Sequence, residues 1–171
     1  MTKANLKTNR VNQGAANSYS LNPAINMTIF EKYERVKSLN KDLRIVGVDA
    51  MIASREDFLN MNREQMTEGY DSNGQRIGVY KVDSYERMKR QMFPQSGGWV
   101  NLKLTGAFQA GMRLTVSTTK WQVTSEDGKA KKLTAKYGTA MFGLAPQQMQ
   151  QYREQYFMPE FMQRVRRQIN G

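Results

Sequence analysis

The chain has 171 residues, neither cysteine nor histidine, and 26 Lys and Arg against 15 Asp and Glu, for a net charge of +11. Without those two side chains there is no thiolate nucleophile, iron–sulfur cluster, cysteine-ligated zinc or Ser-His-Asp triad, and catalysis would have to rest on carboxylates, lysine or tyrosine, so an enzyme is not expected. A positive excess of this size points to a polyanionic neighbour, either nucleic acid or an acidic protein surface.

A chain this long can bury roughly 70% of its unfolded surface in one domain and needs no disulfide. No apolar run approaches the about 20 residues of a membrane span. Met1 to Arg10 lack the apolar centre of a signal peptide. The expected setting is inside a cell, or in a particle assembled there.

Residues 1–22 read as an extended arm rich in Asn, Gln, Ser, Thr and Gly, with Lys3, Lys7 and Arg10 and no acidic residue. Such a composition has too little apolar surface to fold alone. A neighbouring subunit is the expected support, contacted through Lys3, Lys7, Arg10, Tyr19 and Leu21. The remaining residues, 23–171, read as one α+β domain.

Asn22 and Pro23 suit the start of a first helix. Ile25, Ile29, Tyr33, Val36 and Leu39 follow at helical spacing and are assigned to the core. Asn40-Lys41-Asp42 reads as a break, after which Leu43, Ile45, Val46 and Val48 fit a second helix or a short strand. Ser54-Arg55-Glu56-Asp57 has the form of a capping box for a helix over about 55 to 68, ended by Gly69. Asp71-Ser72-Asn73-Gly74 is a turn; it lacks the spaced ligands and closing glutamate of a calcium loop. Ile77 and Val79 alternate as a short extended piece. Asp83-Ser84 caps a helix over about 84 to 92, with Arg87, Lys89 and Arg90 as a basic face, either solvated or touching phosphate.

After the loop at 93–98, three alternating runs predict strands: Val100, Leu102 and Leu104; Met112, Leu114 and Val116; Trp121 and Val123. The expected fold is therefore an antiparallel meander of 3–5 strands covered by helices. Lys129, Lys131, Lys132 and Lys136 then gather around Leu133 and Tyr137 as the densest positive patch, a candidate contact for DNA or an acidic partner. Pro146 opens a long basic amphipathic helix over 146–171, with Met149, Tyr152 and Tyr156 on one face and a kink or restart at Pro159. Phe161, Val165 and Ile169 repeat along its second half, flanked by Arg164, Arg166 and Arg167, a second candidate set of partner-facing charge. This helix docks either on its own sheet or on a neighbour. Twelve methionines suit adaptable contact surfaces. The sequence has no internal repeat, heptad, phosphate-binding glycine loop or zinc spacing, and neither metal nor cofactor is expected.

Asn62-Arg63-Glu64-Gln65-Met66, the Gly69–Gly74 turn, the Tyr- and Lys-rich segment after it and Leu102-Lys103-Leu104-Thr105-Gly106-Ala107-Phe108 resemble the virion morphogenesis and tail-completion proteins of tailed bacteriophages. Lys136-Tyr137-Gly138 and Phe142-Gly143-Leu144 before a basic terminal helix add to the likeness, which spans roughly residues 55 to 171. The resemblance implies a structural neck protein of the virion, assembled in the host cytoplasm. It would form a homo-oligomeric ring between portal or adaptor and tail, with DNA passing through without base readout and no membrane or small-molecule substrate. The alternative is a basic nucleic-acid-binding accessory protein, monomeric or dimeric, with Trp99 or Trp121 stacking on bases. Core packing is the plainer role for both tryptophans.

Overall fold

A computed structural model describes residues 27–170. The arm contacts expected at Lys3, Lys7, Arg10, Tyr19 and Leu21, the Asn22–Pro23 helix start and Ile25 lie outside the described residues. Thr28 instead caps α1 (Ile29–Ala53). Its hydroxyl accepts from the Glu31 amide at 3.2 Å, and its own amide donates to the Glu31 carboxylate at 2.8 Å.

The expected break at 40–42 does not occur, and α1 runs through it for 25 residues. No Pro or Gly stands there, and the flanking Leu39 and Val46 are both buried, so packing overrides the weak local propensities. Leu43, Ile45, Val46 and Val48 thus continue α1. The apolar stripe at its start is not core: Ile29 is 88% exposed, Tyr33 59% and Val36 51%.

α2 (Arg55–Thr67) follows with no more than a joint at Ser54. The predicted capping box is not made, because the Ser54 hydroxyl is committed elsewhere. It donates to the Ala50 carbonyl at 2.9 Å and shares a hydrogen bond of 2.6 Å with the Tyr152 hydroxyl. Phe58, Leu59 and Met66 are buried as their spacing implies, and Gly69 ends the segment at φ 89. The Asp71 carboxylate then closes the turn by accepting from the amides of Asn73 at 2.9 Å and Gln75 at 2.8 Å.

Beyond α3 (Asp83–Met92) the predicted first strand fails. Val100 and Asn101 are both buried while Leu104 is half exposed, so the alternation in sequence is not an alternation in space. Leu102 adopts φ 50, and the segment contributes only an isolated bridge, Val79 to Trp99. After the short α4 (Ala107–Ala110) the other two strands form as expected: β1 (Met112–Val116) pairs antiparallel with β2 (Trp121–Ser125). Leu114 faces Val123 across this pair. The sheet among the described residues is thus a two-stranded hairpin rather than a meander of 3–5 strands. Mixed α+β character holds; helices dominate.

α5 (Ala130–Tyr137) leads to α6 (Pro146–Tyr152), a π-helical turn (Arg153–Phe157) and α7 (Met158–Asn170). The expected interruption at Pro159 takes the form of the wide turn before it, after which α-helix resumes at Met158. The Met158 amide reaches back five residues to the Arg153 carbonyl. That register frees the Gln155 carbonyl, which a proline four residues later can neither bond nor pass in an α-helix. With Tyr152 against the end of α1, α7 runs back antiparallel along α1, not onto the sheet.

Two apolar clusters hold these parts. One joins Leu59, Met66, Phe108, Met112 and Met141; the other joins Met51, Phe58, Leu144 and Tyr152. Phe58 meets Tyr152 and Trp121 edge-on, each with ring centroids 5.1 Å apart. Between the clusters, α2 grips the chain ahead of α6. Asn62 Nδ2 donates to the Gly143 carbonyl at 2.8 Å, and its Oδ1 accepts from the Gly143 amide at 3.1 Å. One turn on, Gln65 Nε2 donates to the same carbonyl at 3.1 Å and its Oε1 accepts from the Ala145 amide at 2.8 Å. Two side-chain amides thus stand in for a neighbouring strand.

Both amides are buried, so breaking the grip strands backbone groups without water. Asn62→Ala is expected to lower stability by about 2–3 kcal/mol in urea denaturation. Asn60→Ala, on the exposed side of α2, should stay within about 0.5 kcal/mol of the parent. Equal effects at the two positions would refute the grip.

Candidate anion-binding site

The predicted lysine patch is divided by its helix. The Asp127 carboxylate accepts from the Lys129 amide at 2.7 Å and so shapes the entry to α5. Lys129 and Lys136, seven residues apart and on one face, line a cavity toward α3. Lys131 lines a different cavity along β2, and Lys132 is exposed. On α7, Arg164 is ion-paired with Glu160, while Arg166 and Arg167 are exposed.

The α3–α5 cavity has a volume of about 370 Å³. Its buried lining includes Val100, Phe108 and Lys89, and Tyr80, Tyr85 and Tyr137 stand along it. Lys81 and Lys103 join Lys129 and Lys136 around it, so five lysines from four separate stretches converge on one hollow. None of the five forms an ion pair among the described residues. Asp127 is the one acidic residue lining the cavity.

Lys89 was expected on the exposed basic face of α3; it is 1% exposed. Its ammonium donates to the Lys103 carbonyl and lies 4.3 Å from the centre of the Phe93 ring. Burial, helped by the Lys103 charge, pulls its pKa from 10.5 down to about 8. The Tyr80 phenol, pushed by burial up to about 12, donates to Asn101 Oδ1 at 3.3 Å and accepts from the Asn101 amide at 3.3 Å. Asn101 Nδ2 is buried with no partner among the described residues. Leu102, at φ 50, lies between Asn101 and the carbonyl that Lys89 holds. Of the other two basic residues on α3, Arg87 is exposed, while Arg90 pairs with Glu86 above Gly98, where a β-carbon would sit 2.4 Å from Glu86 Oε1. Tyr85, Lys89 and Phe93 follow at four-residue spacing, the one sequence signal that marked Lys89 as the inward lysine.

A second hollow of about 360 Å³ lies between α1, the hairpin turn and α6, with Arg44, Lys120 and Arg153 among its lining. Trp121 also lines it, 46% exposed. Trp99 is half-buried, with the Arg76 guanidinium 5.3 Å from its ring centre, and is packed rather than open for stacking. The described residues hold no cluster of acidic ligands able to bind a metal, and no helix among them is long and apolar enough to cross a membrane. No family model, curated protein or solved structure matches the chain.

The depressed Lys89 pKa sets a sign for stability against pH. Between about 8 and 10.5 the unfolded chain holds a proton that the folded one has lost, so stability rises with pH across that window. Below it both states are charged and the burial penalty is complete. Tyr80 acts in the opposite sense, but only as pH climbs from 10.0 toward about 12. Raising pH from 7 to 9.5 is therefore expected to stabilise the parent relative to Lys89→Met by about 2 kcal/mol. Urea denaturation of both proteins at the two pH values checks this, and parallel responses would refute it.

Proposed function

We propose that the chain is a structural subunit of a tailed-phage neck: a ring-forming connector or tail-completion protein that joins portal or adaptor to tail around passing DNA. It would be assembled in the host cytoplasm and retained in the virion. The observation that carries this reading is the apolar start of α1, where Ile29, Phe30, Tyr33 and Val36 are all more than half exposed. A helix that leaves such a stripe outside its own core has surface for another copy to cover. A repeated, head-to-tail use of one such surface closes a ring when the rotation allows it. The net charge of +11 suits a protein near DNA that must slide, with diffuse contacts to phosphate and no base readout. Support for the phage setting comes from the short motifs between residues 55 and 171, several of which are structural corners here: Asn62, Gln65, the Asp71 turn and Gly143.

The five-lysine cavity favours the second reading, a nucleic-acid-binding accessory protein acting as monomer or dimer. Sedimentation velocity and negative-stain imaging of the full chain separate the two. Closed rings are expected for the parent, alone or with a neck partner. Ile29→Glu/Tyr33→Glu should give monomers with unchanged far-UV circular dichroism. A strictly monomeric parent that binds single strands tightly and with strong salt dependence would overturn the ring in favour of the accessory protein.

A further inference from the structure

We propose that the α3–α5 cavity is a nucleotide-binding pocket, in which Lys81, Lys103, Lys129 and Lys136 take the phosphate and the tyrosine-lined wall takes the base. Ring formation is not required for it. Four observations converge.

The first is charge. Five lysines from four separate stretches line one concavity and form no ion pair among the described residues, against a single lining carboxylate, Asp127, which accepts from the Lys129 amide. Like charges gathered this way repel unless an anion joins them. The second is donor type. The basic lining is lysine throughout and holds no arginine, and lysine binds phosphate as a point charge, with no fixed fork geometry to meet.

The third is shape. A volume of about 370 Å³ is at the small end of ligand pockets and suits one nucleotide unit. The apolar floor of Val100 and Phe108, with Tyr80, Tyr85 and Tyr137 beside it, offers an aromatic body more than a bare ion needs. The fourth is construction. Buried Lys89 binds the Lys103 carbonyl, and Leu102 is held in a left-handed conformation just before it, so the stretch that carries Lys103 is fixed in place. Backbone strain of this kind persists where the surroundings enforce it, and it gathers at binding sites.

A free nucleotide and a unit of a strand share this phosphate and base chemistry, and the probes tell them apart. The full chain is titrated with inorganic phosphate, with thymidine monophosphate and with a twelve-residue oligo-dT, by calorimetry and by chemical shifts of the tyrosine rings. Monophosphate binding that shifts Tyr80, Tyr85 or Tyr137 would assign a free nucleotide. Binding of the oligonucleotide alone would assign a strand. In either case Lys103→Ala/Lys136→Ala should weaken binding at least tenfold. For the oligonucleotide, the slope of log affinity against log salt should flatten by about 1.4. Lys81→Ala/Lys136→Ala, both at exposed positions, serves as a second variant should the first fold poorly. Lys32→Ala/Lys37→Ala removes the same charge from α1 and should leave affinity within twofold. No binding of any probe, binding of inorganic phosphate alone, or losses equal to those of the α1 variant would overturn the pocket.

Discussion

The fold depends on two amide side chains. Asn62 and Gln65 stand one turn apart on α2, and together they satisfy both polar groups of Gly143 and the amide of Ala145. Four hydrogen bonds of 2.8–3.1 Å close a loop of about eighty residues that contains α3, the hairpin and α5. Gly143 accepts the arrangement at φ 116, and a β-carbon there would press on Ser72 at 3.3 Å. The Ser72 amide in turn donates to the Ala140 carbonyl at 2.7 Å, which pins the Asp71 turn to the same stretch. Through this junction the chain enters α6 with Tyr152 aimed at Ser54 and Phe58. The antiparallel packing of α7 on α1 follows from that entry.

Local chemistry was legible where one residue decides one bond. Gly69 as a helix stop, the Asp71 turn, the helix from 55 and the two later strands all follow from spacing and turn residues. Non-local partners were not legible. Ser54 has the sequence of a cap, yet Tyr152, 98 residues away, claims its hydroxyl. Val100, Leu102 and Leu104 alternate like a strand, but Asn101 between them is wanted inside by Tyr80 and by the Lys103 amide. Once Asn101 is buried the pleat cannot hold. Pro159 signals a break in any single-sequence reading, while the π-turn that absorbs it is set by residues before it.

The apolar pattern of α1 illustrates the same limit from the opposite side. Its stripe is periodic from Ile29 to Ala50, and periodicity alone assigns all of it to a core. Among the described residues of α1, only Leu39, Val46, Ala50 and the adjoining Met51 are buried apolar side chains. Amphipathicity reports that a face is to be covered and is silent on whether the cover belongs to the same copy. The candidate site was legible in the same partial way. Lys129 and Lys136 were read from charge density, but Lys81, Lys89 and Lys103 join them only because α3 and the irregular stretch after Trp99 line the same hollow as α5.

Lys89 is the residue that makes this junction specific. A methionine would fill its volume and remove the cost of burying an ammonium. It would also leave the Lys103 carbonyl without its donor and the Phe93 face without its cation. The carbonyl matters because Leu102 before it sits at φ 50, a conformation that a leucine keeps only when its neighbours hold it. Buried charge is weak evidence for stability, but it is well suited to fixing one arrangement among several. Here the arrangement fixed is the one that sets Lys103 on the same cavity as Lys129 and Lys136. The pKa of about 8 records the penalty for doing so, and the unpartnered Asn101 amide beside it records another. Two such penalties next to one lysine-lined hollow mark a place where the chain gives up stability to hold a geometry.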